Sequence, residues 1–406
     1  MSLLDLLNEP SIWEKFYQYK LSLAVPKQFT SGLRGFIDEK KYLPVYGEII
    51  SGERFPLPKK AAISKTGSDK KRVVYTYPEP ENTVLKLLTY LILRKYDHVF
   101  SPCLFSFRPG KTAKDAVKSV LRHRNINCLY AYKVDIHDYF NSVPVDSLLP
   151  ALKSELYDDL KLYNFLSSLL TEPFVTWRDT PTEEQKGIMA GTPLSSFYAN
   201  LYLKDLDFYF FSRRIIYARY SDDIIVFSET ERELAEYADY IRKFLKDKQL
   251  SVNEKKEFVY RPGEGFTFLG FSCRDGVVDI APVTVKKLKQ KMRRKRDSLS
   301  RWHMRNGLEP EKAAKAFIRI FNRKLLESPR DNELSWSSWF FPVINTARSL
   351  HEIDLYAQDC IRYLISGKHT KSRFNVRYED IKALGYRSLV NEFYSNRKHS
   401  ENKNGL

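Results

Sequence analysis

The chain has 406 residues, of which 43% are apolar, an ordinary share for a globular protein; this excludes wholesale disorder and leaves room for two or three packed modules. A formal charge of +17 and a pI near 9.4 point to a polyanionic partner, nucleic acid before acidic membrane. The start, MSLLDLLNEPSIWEKF, lacks the features of a secretory signal, and the apolar run 84–93 is too short to span a bilayer. Cys103, Cys128, Cys273 and Cys360 make no C-x-x-C pair, so a reduced, cytoplasmic protein without a zinc module or disulfide framework is expected.

In chain order, the sequence predicts a helix over 11–23, then an irregular stretch rich in Gly and Pro to residue 60. Residues 61–76 read as a basic β-hairpin, with Ile63, Val73, Val74 and Tyr75 suited to strands and Gly67-Ser68-Asp69 to the turn. Val84, Leu87, Leu88, Leu91 and Ile92 give helical spacing over 82–96. A strand follows at 128–136, a helical stretch at 147–170 and a long helix from Pro193 to Phe210. Two strands, 215–220 and 224–227, then flank Ser221-Asp222-Asp223, followed by a helix at 230–248 and strands at 257–260 and 266–273. This succession reads as an α+β sheet with helices on one face. Beyond residue 283 the pattern is helical and basic, and Trp302, Phe317, Ile320, Phe321, Trp336, Trp339 and Phe340 are spaced as core.

Three stretches carry chemistry. Tyr220-Ser221-Asp222-Asp223 lies between two apolar β runs, where a tight hairpin projects adjacent carboxylates together; alone, it also fits an ordinary surface turn. Asp135 ends an earlier strand that the intervening helices let lie beside the hairpin. Converging carboxylates suit two divalent ions about 4 Å apart, the requirement of nucleotidyl transfer. Phe140, five residues on, can stack under a sugar and exclude a 2′-hydroxyl. Near it, Asp138 reads as a helix cap or surface charge, His137 as surface and Tyr139 as core. In the third stretch, residues 187–202, Gly191 permits close backbone approach to a nucleotide or template and Pro193 suits a helix start.

The order K-V-D-I-x-x-Y-F, G-x-x-x-G-T-P-L-S-S-x-x-A-N-L-Y-L, Y-S-D-D, N-E-K-K and F-x-F-L-G-F resembles the palm of bacterial reverse transcriptases. These include group II intron, retron and stand-alone defence-associated enzymes. The motifs cover residues 128–271, and F-S-F-R-P-G (105–110) resembles a fingers motif of the same group. The resemblance implies a right-hand polymerase with fingers, an RRM-like palm and an α-helical thumb. It implies that Asp135, Asp222 and Asp223 are catalytic and hold two Mg²⁺, replaceable by Mn²⁺, with the Ile136 backbone beside them. It makes Phe140 the sugar gate and assigns Lys65, Arg72, Gly191 and Lys256 to the nucleotide. Phe268, Leu269 and Gly270 become the primer grip and Arg108 a nucleic-acid contact. One departure is Ala190, where many relatives carry Gln, which removes an amide contact to nucleotide or template. The Ala190-Gly191-Thr192 variant is similar to the unknown-group and abortive-infection enzymes.

Thr284 to Arg296 contains eight Lys or Arg and no acid; Lys286, Lys287, Lys291, Arg293 and Arg294 are its expected phosphate contacts. Residues 377–390 again resemble a C-terminal segment of bacterial reverse transcriptases, while the Cys/His endonuclease module and the retron N-A-x-x-H and V-T-G signatures are missing. The expected organisation is an N-terminal extension and fingers (1–127), palm (128–275, with finger-side helices 147–186), thumb (276–365) and C-terminal segment (366–406). The expected function is RNA-directed DNA synthesis from dNTPs on a dedicated structured non-coding RNA, yielding cDNA in antiphage defence, with no membrane partner and an oligomer left open. A maturase-like splicing cofactor of a group II intron and a template-independent terminal transferase stand as alternatives.

Overall fold

In the computed structural model, which describes residues 1–23, 27–64, 71–327 and 336–404, the basic hairpin forms as β1 (Lys59–Ser64) and β2 (Lys71–Thr76), with Ile63 opposite Arg72. Its expected turn, with Lys65 and Gly67-Ser68-Asp69, lies outside the described residues. The later strands of the first unit are β3 (Tyr130–Asp135), β4 (Phe174–Trp177), β5 (Thr180–Glu183), β6 (Tyr217–Tyr220), β7 (Asp223–Ser228) and β8 (Phe258–Tyr260). They form two four-stranded sheets, β2-β1-β4-β5 and the wholly antiparallel β6-β7-β3-β8. The class is α+β, as the sequence implies.

Ile224, Ile225, Val226 and Phe227 are all buried, so β7 is covered on both faces, which is why it reads as a continuous apolar run. The helix Glu231–Asp247 covers part of this sheet, contacting β3 and β7. Leu234, Ala238, Ile241 and Leu245 recur on its buried face, each large side chain contributing about 1.5–3 kcal/mol. Thr230 caps its start by accepting from Glu233 N at 3.2 Å, and Gln249 just beyond its end takes a left-handed φ of 56°.

Several elements depart from the sequence expectation. The stretch before residue 60 contains the helices Lys27–Asp38 and Tyr42–Ser51. Gly32, Gly35, Pro44 and Gly47 obscure them in sequence, but buried Leu33, Ile37, Tyr42 and Val45 anchor them, and Tyr42 stacks on buried Trp13 at 4.8 Å. Tertiary packing here outweighs the helix penalty of glycine. The 147–170 stretch is two helices, Val145–Glu155 and Leu160–Thr171; Asp159 caps the second through Leu162 N and also accepts from Leu3 N. The long helix expected from Pro193 splits at Leu203 into Ser195–Tyr202 and Lys204–Ser212.

The chain forms two compact units, Met1–Ser22 with Gln28–Glu264, and Leu23–Lys27 with Gly265–Leu406. Residues 266–273 do not extend the sheet that carries Asp135. They form β9 (Phe266–Phe268) and β10 (Phe271–Arg274), which join β11 (Val277–Ile280) as a separate antiparallel sheet in the second unit. Helices follow at Pro282–Arg305, Pro310–Leu325, Trp336–Phe340, Arg348–Ser366, Tyr378–Ala383 and Leu389–Asn404. Trp302, expected in the core, is 41% exposed. The C-terminal motif is anchored by buried Asp354, whose carboxylate accepts from Tyr386 Oη, Ser388 Oγ, Leu389 N and Val390 N at 2.7–3.1 Å. Among the described residues no helix is long and apolar enough to cross a membrane.

Candidate active site

Strand register gathers the aspartates. β3 and β7 pair so that Asp135 lies opposite Asp223, and Ile136 N donates to Asp222 O at 3.1 Å. Tyr220 pairs with Asp223 across a two-residue turn, so Ser221 and Asp222 are its central residues. All three carboxylates thus belong to one end of the sheet. Ser221 holds a left-handed φ of 58°, a conformation that favours glycine or asparagine.

The carboxylates sit in different surroundings. Asp135 is 4% exposed; its Oδ2 accepts from Lys256 Nζ at 2.6 Å and its Oδ1 from Asn253 Nδ2 at 3.2 Å. Burial, reinforced by the Asp135 and Asp223 charges, pushes Asp222 up to about 6. Burial also raises Asp223, opposed by Lys133. Burial disfavours the Lys256 charge, but the hydrogen bond and charge of Asp135 outweigh it and hold the ammonium above its ordinary range. Lys133 Nζ stands 3.3 Å from Asp223 Oδ1, an ion-pair distance, yet that oxygen is buried without a hydrogen-bond partner.

An orphaned buried carboxylate oxygen beside two further acids is a donor set of the hard-oxygen type that Mg²⁺ or Mn²⁺ takes. Among the described residues no three His, Cys, Asp or Glu side chains stand as a ready-made ligand cluster. Lys256 and Lys133 stand at ion-pair distance from Asp135 and Asp223, 2.6 and 3.3 Å.

A buried polar network supports the turn. Arg219, fully buried on β6, forks onto fully buried Asp207 through Nε–Oδ1 at 2.8 Å and Nη2–Oδ2 at 2.6 Å. Its other bonds reach the carbonyls of Ser221 and Asn200 at 3.3 and 3.2 Å. Tyr217 Oη donates to Asp207 Oδ1 at 2.9 Å. Ser106 Oγ accepts from Ser221 N at 2.8 Å and bonds Asn200 Oδ1 at 3.1 Å, while Asn200 Nδ2 returns to Ser106 O at 2.8 Å. F-S-F-R-P-G, A-N-L-Y-L and Y-S-D-D therefore meet in one hydrogen-bonded body around the left-handed residue. Satisfying every member rigidifies such a network.

The segment around Phe140 is tied to the β1–β2 hairpin. Phe140 is half-buried, and buried Tyr139 donates from Oη to Ala199 O at 2.5 Å, a core role as the sequence implies. Asn141 Nδ2 donates to Val73 O at 3.3 Å and Asn141 Oδ1 accepts from Ala190 N at 3.2 Å. Tyr75 N donates to Ala190 O at 2.8 Å. Gly187, at φ 55°, leaves no space for a side chain, since a Cβ would come within 2.6 Å of the Phe140 and Asn141 carbonyls. Gly191 admits the backbone of Tyr75, 3.0 Å from where its Cβ would stand; the close approach anticipated for a nucleotide is made on this side by protein. Arg72 is exposed on β2, next to Val73.

Other predicted residues lie elsewhere. Arg108, expected as a nucleic-acid contact, has a side chain that is 6% exposed and makes five hydrogen bonds, to the Asp97 carboxylate and carbonyl and to the Ser101 and Leu104 carbonyls. Phe268, Leu269 and Gly270 belong to the second unit, at the turn between β9 and β10; Phe268 is 1% exposed, and Leu269 and Gly270 have φ of 49° and 86°. There too, on the helix Pro282–Arg305, Lys286, Lys287, Lys291, Arg293 and Arg294 are all exposed, and Lys286 and Arg293 also line a groove with Arg274, Arg348, Asp279 and Glu352. Sequence reasoning missed Lys133, Asn253 and the Arg219–Asp207 pair. Lys133 was findable, because it lies two residues before Asp135 and so on the same strand face.

A family model described as "Reverse transcriptase (RNA-dependent DNA polymerase)" matches residues 58–273, more than half of the chain. The 91 kDa protein in the cob intron of Schizosaccharomyces pombe is 24% identical over 191 residues, covering 45% of this chain and 23% of that protein. The retron Ec86 reverse transcriptase of Escherichia coli is 24% identical over 236 residues, covering 57% of this chain and 67% of that enzyme. The chain therefore spans about a quarter of the first relative's length. Among solved structures, apo telomerase from Candida tropicalis is similar at a TM-score of 0.48 and 12% identity, covering 82% of this chain and 60% of that one.

Proposed function

The chain belongs to the reverse transcriptase (RNA-dependent DNA polymerase) family, and from that premise we propose that it extends a 3′ end with deoxynucleotides on an RNA template. The observation that carries the reading is the register that brings Asp135 opposite Asp223 with Asp222 on the adjoining turn. Divalent cations, Mg²⁺ or Mn²⁺, held by these three carboxylates beside the Ile136 backbone, would activate the 3′-oxygen and neutralise the leaving pyrophosphate. The chain's own residues do the rest. Lys256, freed from Asp135, turns its ammonium toward the departing phosphates. Arg72 offers its guanidinium fork to the triphosphate, with Lys65 assigned the same role. Phe140 presents a half-buried ring to the sugar and leaves no room for a 2′-hydroxyl. The basic helix Pro282–Arg305 contacts the nucleic-acid backbone, with Phe268 to Gly270 near the primer.

The finer reading is a dedicated structured non-coding RNA as template, Mg²⁺ as the working ion, a cytoplasmic setting and a role in antiphage defence. The Ala190-Gly191-Thr192 variant in the G-x-x-x-G segment supports the template and the defence role, the hard-oxygen carboxylates support Mg²⁺, and the cysteine pattern supports the cytoplasmic setting. The test is primer extension on a defined RNA template with dNTPs, and separately with rNTPs. The expected product is DNA complementary to the RNA, lost when the template is digested first. Product of unrelated sequence, or product that survives template digestion, refutes templated synthesis. With Phe140→Ala, relative use of rNTPs is expected to rise by roughly 10- to 100-fold, the scale of a single lost steric exclusion; unchanged discrimination removes Phe140 as the gate.

A further inference from the structure

Phe107 stands out among the residues that the proposed chemistry does not use. It is an aromatic residue at a φ of 55°, in the left-handed region that bulky side chains avoid, and it is 38% exposed. Burial therefore does not explain why the fold tolerates the conformation. Strained backbone persists where its surroundings over-determine it, and such positions cluster at working sites.

Both neighbours of Phe107 are pinned. Ser106 is fully buried, bonded through Oγ to Ser221 N and through its carbonyl to Asn200 Nδ2. Arg108 is locked by its five hydrogen bonds to Asp97, Ser101 and Leu104. The loop before them is itself pinned to the strand of the catalytic hairpin, through Phe105 N to Arg219 O and Arg219 N to Cys103 O, both at 3.0 Å. With both flanks fixed, the ring of Phe107 has one notable partner: the Phe140 ring, 6.1 Å away between centroids and at 84°, an edge-to-face pair.

We propose that Phe107 is a positioning residue for sugar discrimination: it fixes the Phe140 ring so that a ribonucleotide's 2′-hydroxyl is refused. This rests on Phe140 being the sugar gate. The pinned loop thereby couples the gate to the same hairpin that carries Asp222 and Asp223, so that one rigid body sets both where the nucleotide sugar lies and where the carboxylates stand.

The experiment compares kcat/KM for an rNTP and its dNTP in wild type, Phe107→Gly, Phe107→Tyr, Phe140→Ala and the Phe107→Gly/Phe140→Ala double variant. Glycine removes the ring while relieving the left-handed backbone, so folding is preserved, and Tm is read alongside. Phe107→Gly is expected to raise the rNTP-to-dNTP ratio about two- to tenfold, the span of one aromatic pair. Phe107→Tyr keeps the ring and the wild-type ratio, and the double variant matches Phe140→Ala alone. If Phe140→Ala relaxes discrimination but Phe107→Gly, at wild-type Tm, leaves the ratio unchanged, the inference is overturned while the gate stands. An unchanged ratio in Phe140→Ala overturns the gate and the inference together. A double variant far beyond Phe140→Ala makes Phe107 an independent contact and also refutes it.

Discussion

Asp222→Asn is expected to lower cDNA synthesis by about 1,000-fold while leaving the protein folded. The loss follows from removing one ligand charge where transition-state charge develops; an effect of roughly 4 kcal/mol corresponds to that factor. The stability effect runs the other way. Burial and the Asp135 and Asp223 charges raise the folded-state pKa of Asp222 to about 6, above its unfolded value of about 3.9. A carboxyl with a raised pKa favours the folded state when protonated, so its contribution is retained below about pH 4 and lost as pH rises through 6. At pH 7.5 without metal, Asp222→Asn therefore melts at or above the wild-type temperature; at pH 4 the two converge. Activity and Tm measured on the same preparations separate this from misfolding, and an inactive variant that is also unfolded at pH 7.5 contradicts the account.

Arg219→Met is expected to lower Tm by roughly 10 °C. The substitution leaves the Asp207 carboxylate fully buried, paired only with Tyr217 Oη, and strips hydrogen bonds from the Ser221 and Asn200 carbonyls. Removing one partner of a buried pair costs about 3–5 kcal/mol, a large part of a total stability of about 5–15 kcal/mol. The double variant Arg219→Met/Asp207→Leu removes both charges and is expected to recover much of the loss, because two apolar side chains leave no charge uncompensated. Thermal unfolding followed by circular dichroism checks both. A single variant with wild-type Tm places the pair outside the support of the turn.

The hairpin was legible in sequence for a local reason: apolar runs of strand length flank Ser221-Asp222. That Asp135 joins its two aspartates was implied by the resemblance to reverse transcriptases, since the local pattern alone also fits a surface turn. The pairing of Asp135 with Asp223 follows once the two strands lie side by side. The network beneath was not legible, because Asp207 and Arg219 sit on different elements and nothing local says they meet. A charged residue inside the apolar run Ile215–Tyr220 was the signal, since a fully buried guanidinium requires an acid. The Arg108–Asp97 pair was hidden for the same reason: an arginine suits phosphate and carboxylate equally, and its partner lies eleven residues away. Phe266 to Cys273 carry the same apolar alternation whether they extend one sheet or start another, so the pairing of β9 with β10 and of β10 with β11 was invisible. The early helices were hidden by Gly32, Gly35, Pro44 and Gly47, whose unfavourable propensities are overcome by contacts such as Trp13 with Tyr42.

The measurement that bears most directly on the meeting of the three carboxylates is Mn²⁺ binding to the free protein, read from the loss of the free-ion electron paramagnetic resonance signal across pH 5 to 8. The expected result is binding at pH 7.5 that weakens about tenfold per unit below pH 6, as Asp222 takes up its proton, and that is lost in Asp135→Asn and in Asp223→Asn alike. Undiminished, pH-independent binding in a variant with all three aspartates replaced by asparagine would contradict it.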